Sequence, residues 1–428
     1  MKADDSACVA HNVRRLGSLN IPGGGQVVVQ DGYAFVGHMK PPHGTSIIDV
    51  SDPAAPRVVA EIPPDGPYSH THKVRVASDV MITNVEQNDR HLLRLASRIP
   101  GIRQTLSDSG KASSDAAVAA ELGIEEDAIA VLDAAQARGY SDGGWKVWDI
   151  ADKSAPREIA YVRTHGFGVH RFDMDANYAY MSTEMDGYVG NILVIYDLAD
   201  PSNPQEVSRW WLPGQHVANG ETPDWQGYSN RLHHALRVGD ELWAAVWHAG
   251  FRVVDVSDIA KPRTVAAHNY HPPFKEPTHT ILPLPKMIDG RRIAVAIDEE
   301  HTRIPGQAPA NLWVFDVTDF SDIKAMSSFH VSELESPWAS AGSRFGAHQF
   351  HEHIEDTLVY CTWFSGGLRI VDVADPFNPV EIGSYIPGPR TGFDAPQSND
   401  VCVDERGLIY LLDRNCGFDI LEYQNGPI

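Results

Sequence analysis

Apolar and polar positions alternate along this chain in short runs, and one phrase built on that alternation returns again and again. It reads "IIDVSDPAAPRVVAEI" from Ile47, "VWDIADKSAPREIAYV" from Val147 and "VIYDLADPSNPQEVSRW" from Val194. It continues as "VVDVSDIAKPRTVAAH" from Val253, "VFDVTDFSDIKAMSSF" from Val314 and "IVDVADPFNPVEIGSY" from Ile370, with a degenerate seventh copy, "FDILEY", at Phe418. A period of two predicts strands with one face buried, and the Asp-x-x-x-Pro spacing between the two runs supplies turn chemistry. Ahead of each copy lies a further pair of alternating runs, such as "HALRVGDELWAAVW", which turns at Gly239 and Asp240. The repeating unit is therefore four antiparallel strands, a to d.

Four-stranded units repeated at roughly 45 to 60 residues predict propeller blades packed around a central channel. The seventh copy ends before its outer strand. The N-terminal "HNVRRLGSLNIPG" reads like "NPVEIGSYIPG" at 378–388, so it can provide that strand and close the ring. On these motifs the chain resembles the LVIVD-repeat family over nearly its whole length. The resemblance implies an all-β, seven-bladed propeller, residues 1–428 forming one unit. It implies little about chemistry, because propellers host many functions. Blade II departs from the period: residues 92–142 include "DAAVAAELGIEEDAIAVLDAAQARGY", whose Ala, Leu and Glu content predicts helices between strands b and c. An insertion there reads as a lid over a binding face, or else as a contact between copies of the chain in a homo-oligomer.

Composition narrows the function. A formal charge of -22 argues against nucleic acid and anionic membranes, which require basic patches, although a local cluster of Arg can override the global field. The start of the chain lacks the layout of a secretory signal, which predicts a cytoplasmic protein. Cys8, Cys361, Cys402 and Cys416 are far apart, without CxxC spacing, and read as free buried thiols.

Twenty histidines are the unusual feature. Strand a is innermost in a propeller, so the residue at its start lies beside the axis. Aligning the seven a strands puts Gln26, His72, His170, His234, His279, His348 and Asp400 at that position, five histidines among seven blades. Imidazoles converging from rigid strand starts are suited to a divalent transition metal, with Fe favoured and Mn, Zn or Cu as alternatives. One ion is expected, held by at least three of the five. His233, one residue out of register, reads as a supporting or packing residue. His70, His351 and His353 are left open, since "HQFHEH" alternates along a strand and cannot aim all its members at one point.

Loops between strands b and c open on the same face. They offer Glu86, Gln87, Asp89, Arg90, Glu184, Trp247, His248, Glu299, Glu300, His301, Arg303, His38, Trp363 and Arg414. Of these, His248, Glu184, His301 and Arg90 are the candidates for proton transfer or substrate contact. Carboxylates in these loops can also orient ligating histidines. Phe167, Trp225, Tyr228, Trp247, Tyr270, Phe274, Trp338, Trp363 and Phe364 predict a mouth suited to a small aromatic or apolar substrate.

In architecture, not in sequence, this site resembles that of the carotenoid-cleaving oxygenases, where four histidines from different blades hold one iron. "HQFHEH" with Gln349 resembles the three-histidine, one-glutamine manganese cluster of oligogalacturonate lyases, though in looser spacing and with a polyanionic substrate that the charge disfavours. An oxygenase or related oxidoreductase is the expected class, a metal-dependent lyase or hydratase the alternative, and a non-enzymatic scaffold for protein partners the third reading.

Overall fold

A computed structural model describes residues 8–301 and 307–424. Its strands form seven antiparallel blades in chain order. Blade I comprises Gly24–Gln30, Tyr33–His38, Thr45–Asp49 and Arg57–Ile62. Blades II to VI repeat the pattern, and blade VII takes Ser398–Val403, Leu408–Asp413 and Cys416–Tyr423 from the end of the chain. Its fourth strand is Val13–Pro22, which pairs antiparallel with Cys416–Tyr423 and closes the ring as the sequence predicts. Val9–His11 adds a further outer strand to blade VI.

The recurrent phrase folds the same way each time because its first Asp organises the turn locally. Asp49 accepts from the Ser51 amide at 3.0 Å and from Arg57 at 2.6 Å. Asp149 with Arg157 and Asp255 with Arg263 repeat the ion pair at 2.7 and 2.6 Å. The side chain thus closes an Asx turn and clamps the start of strand d.

Inward faces of neighbouring blades make the core. Phe35, Ile47, Met81 and Ile150 fill the seam between blades I and II, and Val27, Val36, Tyr410 and Phe418 fill that between VII and I. Each fully buried apolar side chain contributes about 1.5–3 kcal/mol, and every seam has such a cluster, so the ring has no weak joint among the described residues.

The insertion leaves blade II after Val80–Gln87 and returns at Gly144–Asp149. It holds helices Arg90–Leu93, Ile99–Asp108, Asp115–Leu122 and Asp127–Arg138. Ile99, Leu106, Val118, Ile129 and Leu132 pack against one another, giving the helices a small core of their own. A Ser69–Tyr140 hydrogen bond of 2.9 Å and Arg138 stacked 3.6 Å over Tyr68 tie it to the blade. No helix of the described residues is long and apolar enough to cross a membrane. No disulfide forms among the described residues; Cys361 and Cys402 are buried but Cys8 and Cys416 only half-buried, so the expectation of uniform burial is corrected.

Candidate metal centre

In strand a of blades I and III to VII, the pairing with strand b slips by one or more residues at the inner end, between Val169 and Arg171, Asn230 and His234, Thr278 and Thr280, Ala347 and Gln349. The same slip falls between Gly24 and Gln26 and between Ser398 and Asp400. Such a bulge turns the extra residue toward the axis. The axial ring is consequently Gly25, His72, His170, His233, His279, His348 and Asn399. This corrects the aligned register at three blades: His233 takes the place expected for His234, and Gly25 and Asn399 those expected for Gln26 and Asp400. The imidazoles run in sequence around the axis, with centroid separations of 5.4 Å for His72–His170, 5.0 Å for His170–His233, 4.1 Å for His233–His279 and 4.5 Å for His279–His348.

Hydrogen-bond polarity divides the ring. His170 turns Nδ1 to the Glu86 carboxylate at 3.1 Å, His233 to the His279 carbonyl at 2.8 Å, and His279 to Gln349 Oε1 at 2.9 Å. His348 Nδ1 faces the Asn399 carbonyl. Each of these Nδ1 atoms meets an acceptor and so carries the proton, which leaves the Nε2 lone pair directed inward. His72 is the opposite. Asn84 accepts the Lys73 amide through Oδ1 at 2.8 Å, so its NH2 group donates to His72 Nδ1 at 3.1 Å and puts the His72 proton on Nε2.

Little among the described residues donates to these Nε2 atoms. His170 Nε2 lies 3.2 Å from His233 Nε2, a separation that suits two ligands of one ion, and its present donor is Arg90 at 3.2 Å. His279 and His348 hold Nε2 at 4.0 and 3.8 Å from the Glu299 carboxylate. Two groups, His279–Glu299–His348 and His70–His72–Glu86, bring their ligand atoms within 4.8 Å of one another and could hold a metal ion. In the second group both His70 nitrogens are already engaged, by the Met39 carbonyl at 2.9 Å and Glu86 at 3.0 Å.

Burial holds His72, His170, His233, His279 and His348 well below the ordinary imidazole value, with neighbouring cations pushing the same way. The ring is thus neutral and donor-ready, as metal ligation requires. Glu299 is held well below the usual carboxylate range despite its burial, first of all by His301.

Beneath the ring lies a second axial layer. His234 sits here, donating Nε2–H to Glu352 at 3.0 Å, with Arg75, Arg171 and Gln349 converging on the same carboxylate. Glu352 therefore plugs the channel and separates the histidine cavity from a wider one on the opposite face. Neither Glu352 nor Lys73, which lines the cavity above, stood out in the sequence; Glu352 was hidden within "HQFHEH".

The histidine cavity encloses about 610 Å³. Arg90 lines it, buried and paired with Glu86 at 2.7 Å, as do Asp89, Trp247, His91 and Arg414. Trp247 holds a φ of +60, a strained conformation for a tryptophan, while Arg231 stacks 4.3 Å above its indole. His301 stands at the exposed edge, 3.3 Å from Glu299. His248 and Glu184 do not line the cavity. His248 bonds the Lys275 carbonyl at 3.0 Å, and Glu184 pairs with Arg94 at 3.0 Å and takes the Phe167 amide at 3.1 Å. His38 is buried against Ser46 and the Pro22 carbonyl. Arg303 falls outside the described residues.

The expected aromatic mouth is also corrected. Trp247 alone of that set lines the cavity, whose other apolar walls are Met39, Pro41, Pro42 and Phe393. Trp363 is core, Phe364 stacks on His348 at 4.8 Å, and Phe167 and Tyr228 flank Arg94. Of the insertion, only its first turn, through Arg90 and His91, lines the cavity.

Acid should destabilise this arrangement. Burial lowers His38 to about 4 and His234 to about 3, so below 6.5 the unfolded chain binds protons that the folded chain refuses. Stability then falls as pH drops from 6.5 toward those values, at up to about 1.4 kcal/mol per pH unit for each such histidine. Asp298, Asp400 and Asp413, raised to about 7, 6 and 6, pull the other way but are outnumbered by the neutral histidines. Thermal unfolding of metal-free protein is expected at a clearly lower temperature at pH 5.5 than at pH 7.5; equal midpoints would contradict this.

Fold and site together define a β-propeller with a histidine-lined axial cavity. The LVIVD repeat model matches residues 24–62, 176–210, 239–269 and 357–386, and the chain carries LVIVD repeats. Among solved structures it is similar to a chain of the mitotic checkpoint complex, at 8% identity, TM-score 0.53 and coverage of 98% of this chain and 96% of that one. It is also similar to the periplasmic gluconolactonase PpgL of Pseudomonas aeruginosa, at 11% identity, TM-score 0.52 and coverage of 92% and 89%. At such identities the likeness shows the fold alone. A search of curated proteins finds no match.

Proposed function

We propose that this chain is a metal-dependent enzyme whose single divalent transition metal is held by His170, His233, His279 and His348, with Glu299 beside them. The observation that carries this reading is the shared polarity of the four imidazoles, each with Nδ1 committed outward and Nε2 directed to the axis. Such an all-nitrogen set suits iron, manganese, zinc or copper, and iron is the candidate that fits the oxygenase reading. When bound, a redox-active ion would supply electrons to O2, the chemistry of an oxygenase or related oxidoreductase acting on a small molecule. Around it the chain's own groups bind and orient: Glu86 fixes His170 and Arg90, and Trp247 and Phe393 exclude water from one wall.

A lyase or hydratase is the second reading, favoured by the His70–Glu86 pair at 3.0 Å, a proton-bearing dyad at the cavity wall. An oxygen electrode separates the two. Iron-loaded protein turning over a small aromatic substrate should consume O2 and stop under nitrogen; undiminished anaerobic turnover would select the lyase class.

A further inference from the structure

The histidine ring is incomplete on one side. Blades VII and I contribute Asn399 and Gly25 where the others contribute imidazoles, and Gly25 has no room for a side chain, since a Cβ there would meet the His72 carbonyl oxygen at 2.6 Å. Cations gather over this gap. Arg414, from the b-to-c loop of blade VII, donates to Asn399 Oδ1 at 2.9 Å, and Asn399 in turn donates to the Gly25 carbonyl at 2.9 Å. Lys73 Nζ reaches the same carbonyl at 2.9 Å. Neither Arg414 nor Lys73 has a carboxylate within 4.0 Å among the described residues, whereas Arg90, Arg94 and Arg344 each have one. Desolvation, with Arg344 and Arg90 and against the more distant Glu299, lowers Arg414 to about 9.

The cavity wall as a whole carries Lys40, Lys73, Arg90 and Arg414 against Glu86, Asp89 and Glu299. Burial lowers Lys73 well below the ordinary lysine value, so the positive charge at the gap rests on Arg414, in a chain of net charge -22. Beside the gap stand Met39, Pro41, Pro42 and Phe393, an apolar wall. A guanidinium fork matches a carboxylate through two parallel hydrogen bonds, and an apolar wall next to it fits a hydrocarbon body.

We infer that the substrate is a small carboxylate with an apolar or aromatic body, its anionic group seated on Arg414 at the open side of the ring. This names the substrate class for the site proposed above and rests on that reading for its catalytic meaning, but the anion site itself stands on Arg414 and the gap.

Benzoate and its neutral counterpart benzamide are the probes, titrated calorimetrically into metal-free and iron-loaded protein, with metal content measured on the same samples. Benzoate is expected to bind at least 10-fold more tightly than benzamide. Arg414→Gln should abolish that preference and Arg414→Lys retain part of it, both with metal content unchanged. Equal binding of the two probes to the wild-type chain, or full preference in Arg414→Gln, overturns the inference. A chain that takes up no metal yet prefers benzoate keeps the anion site and removes the metal reading. A chain that takes up metal without discriminating the probes does the reverse.

Discussion

Metal-stripped protein returned to Fe(II) should bind one equivalent per chain, and His233→Ala should lose most of it while His234→Ala keeps it. The two residues are neighbours in sequence but lie in different axial layers. His233 presents Nε2 to the ring, 3.2 Å from His170, whereas His234 spends its Nε2–H on Glu352. His170→Ala, His279→Ala and His348→Ala should behave like His233→Ala. His72→Ala should lose far less, because Asn84 leaves the His72 proton on the inward nitrogen. The ligands sit at strand starts and not in the seams between blades, so circular dichroism should stay that of the parent. Elemental analysis of protein purified without an affinity tag reads the result. Full retention in all four variants would end the four-histidine reading, and loss confined to His72 variants would move the ion to the Glu86 side.

The second large effect is expected at Glu352. Its buried carboxylate receives Arg75, Arg171, His234 at 3.0 Å and Gln349 at 2.5 Å, joining blades II, III, IV and VI at the floor of the channel. Arg171 and Arg75 hold it well below the usual carboxylate range. Glu352→Ala leaves two buried guanidinium groups facing each other without an anion, and breaking a buried pair in this way costs about 3–5 kcal/mol. Urea unfolding should show that loss as a shifted midpoint. Metal affinity should fall as well, by about 10–100-fold, the usual effect of removing a group that orients a ligand: Glu352 fixes His234 and Gln349, which set the tautomers of His233 and His279. A loss under about 1 kcal/mol would show that the layer is solvated and not a plug.

Glu352 also illustrates why the site was harder to read than the fold. The blades were legible because every instruction is local: period-two alternation, an Asp that closes its own turn and, in three copies, an Arg eight residues on that returns to it. Closure by the N-terminal strand was legible because Val13–Pro22 repeats a strand d pattern found elsewhere in the chain. Helices in the insertion announced themselves by composition, while the Ser114 cap on the Ala117 amide appeared only in the structure.

Sequence by itself therefore determined the propeller, the blade count, the place of the insertion and the presence of histidines at strand starts. Tertiary structure alone decided which of them meet. A one-residue bulge, invisible in an alternating pattern, exchanges the faces of adjacent residues, and it made His233 rather than His234 the ring member. It also placed His248 and Glu184 outside the lining of the histidine cavity, and Arg414 at the gap left by Gly25 and Asn399. Which imidazole nitrogen is free depends on partners such as Asn84 and Gln349, and the Glu352 carboxylate on guanidinium groups from blades II and III. Those contacts join residues far apart in the chain, so no local pattern records them.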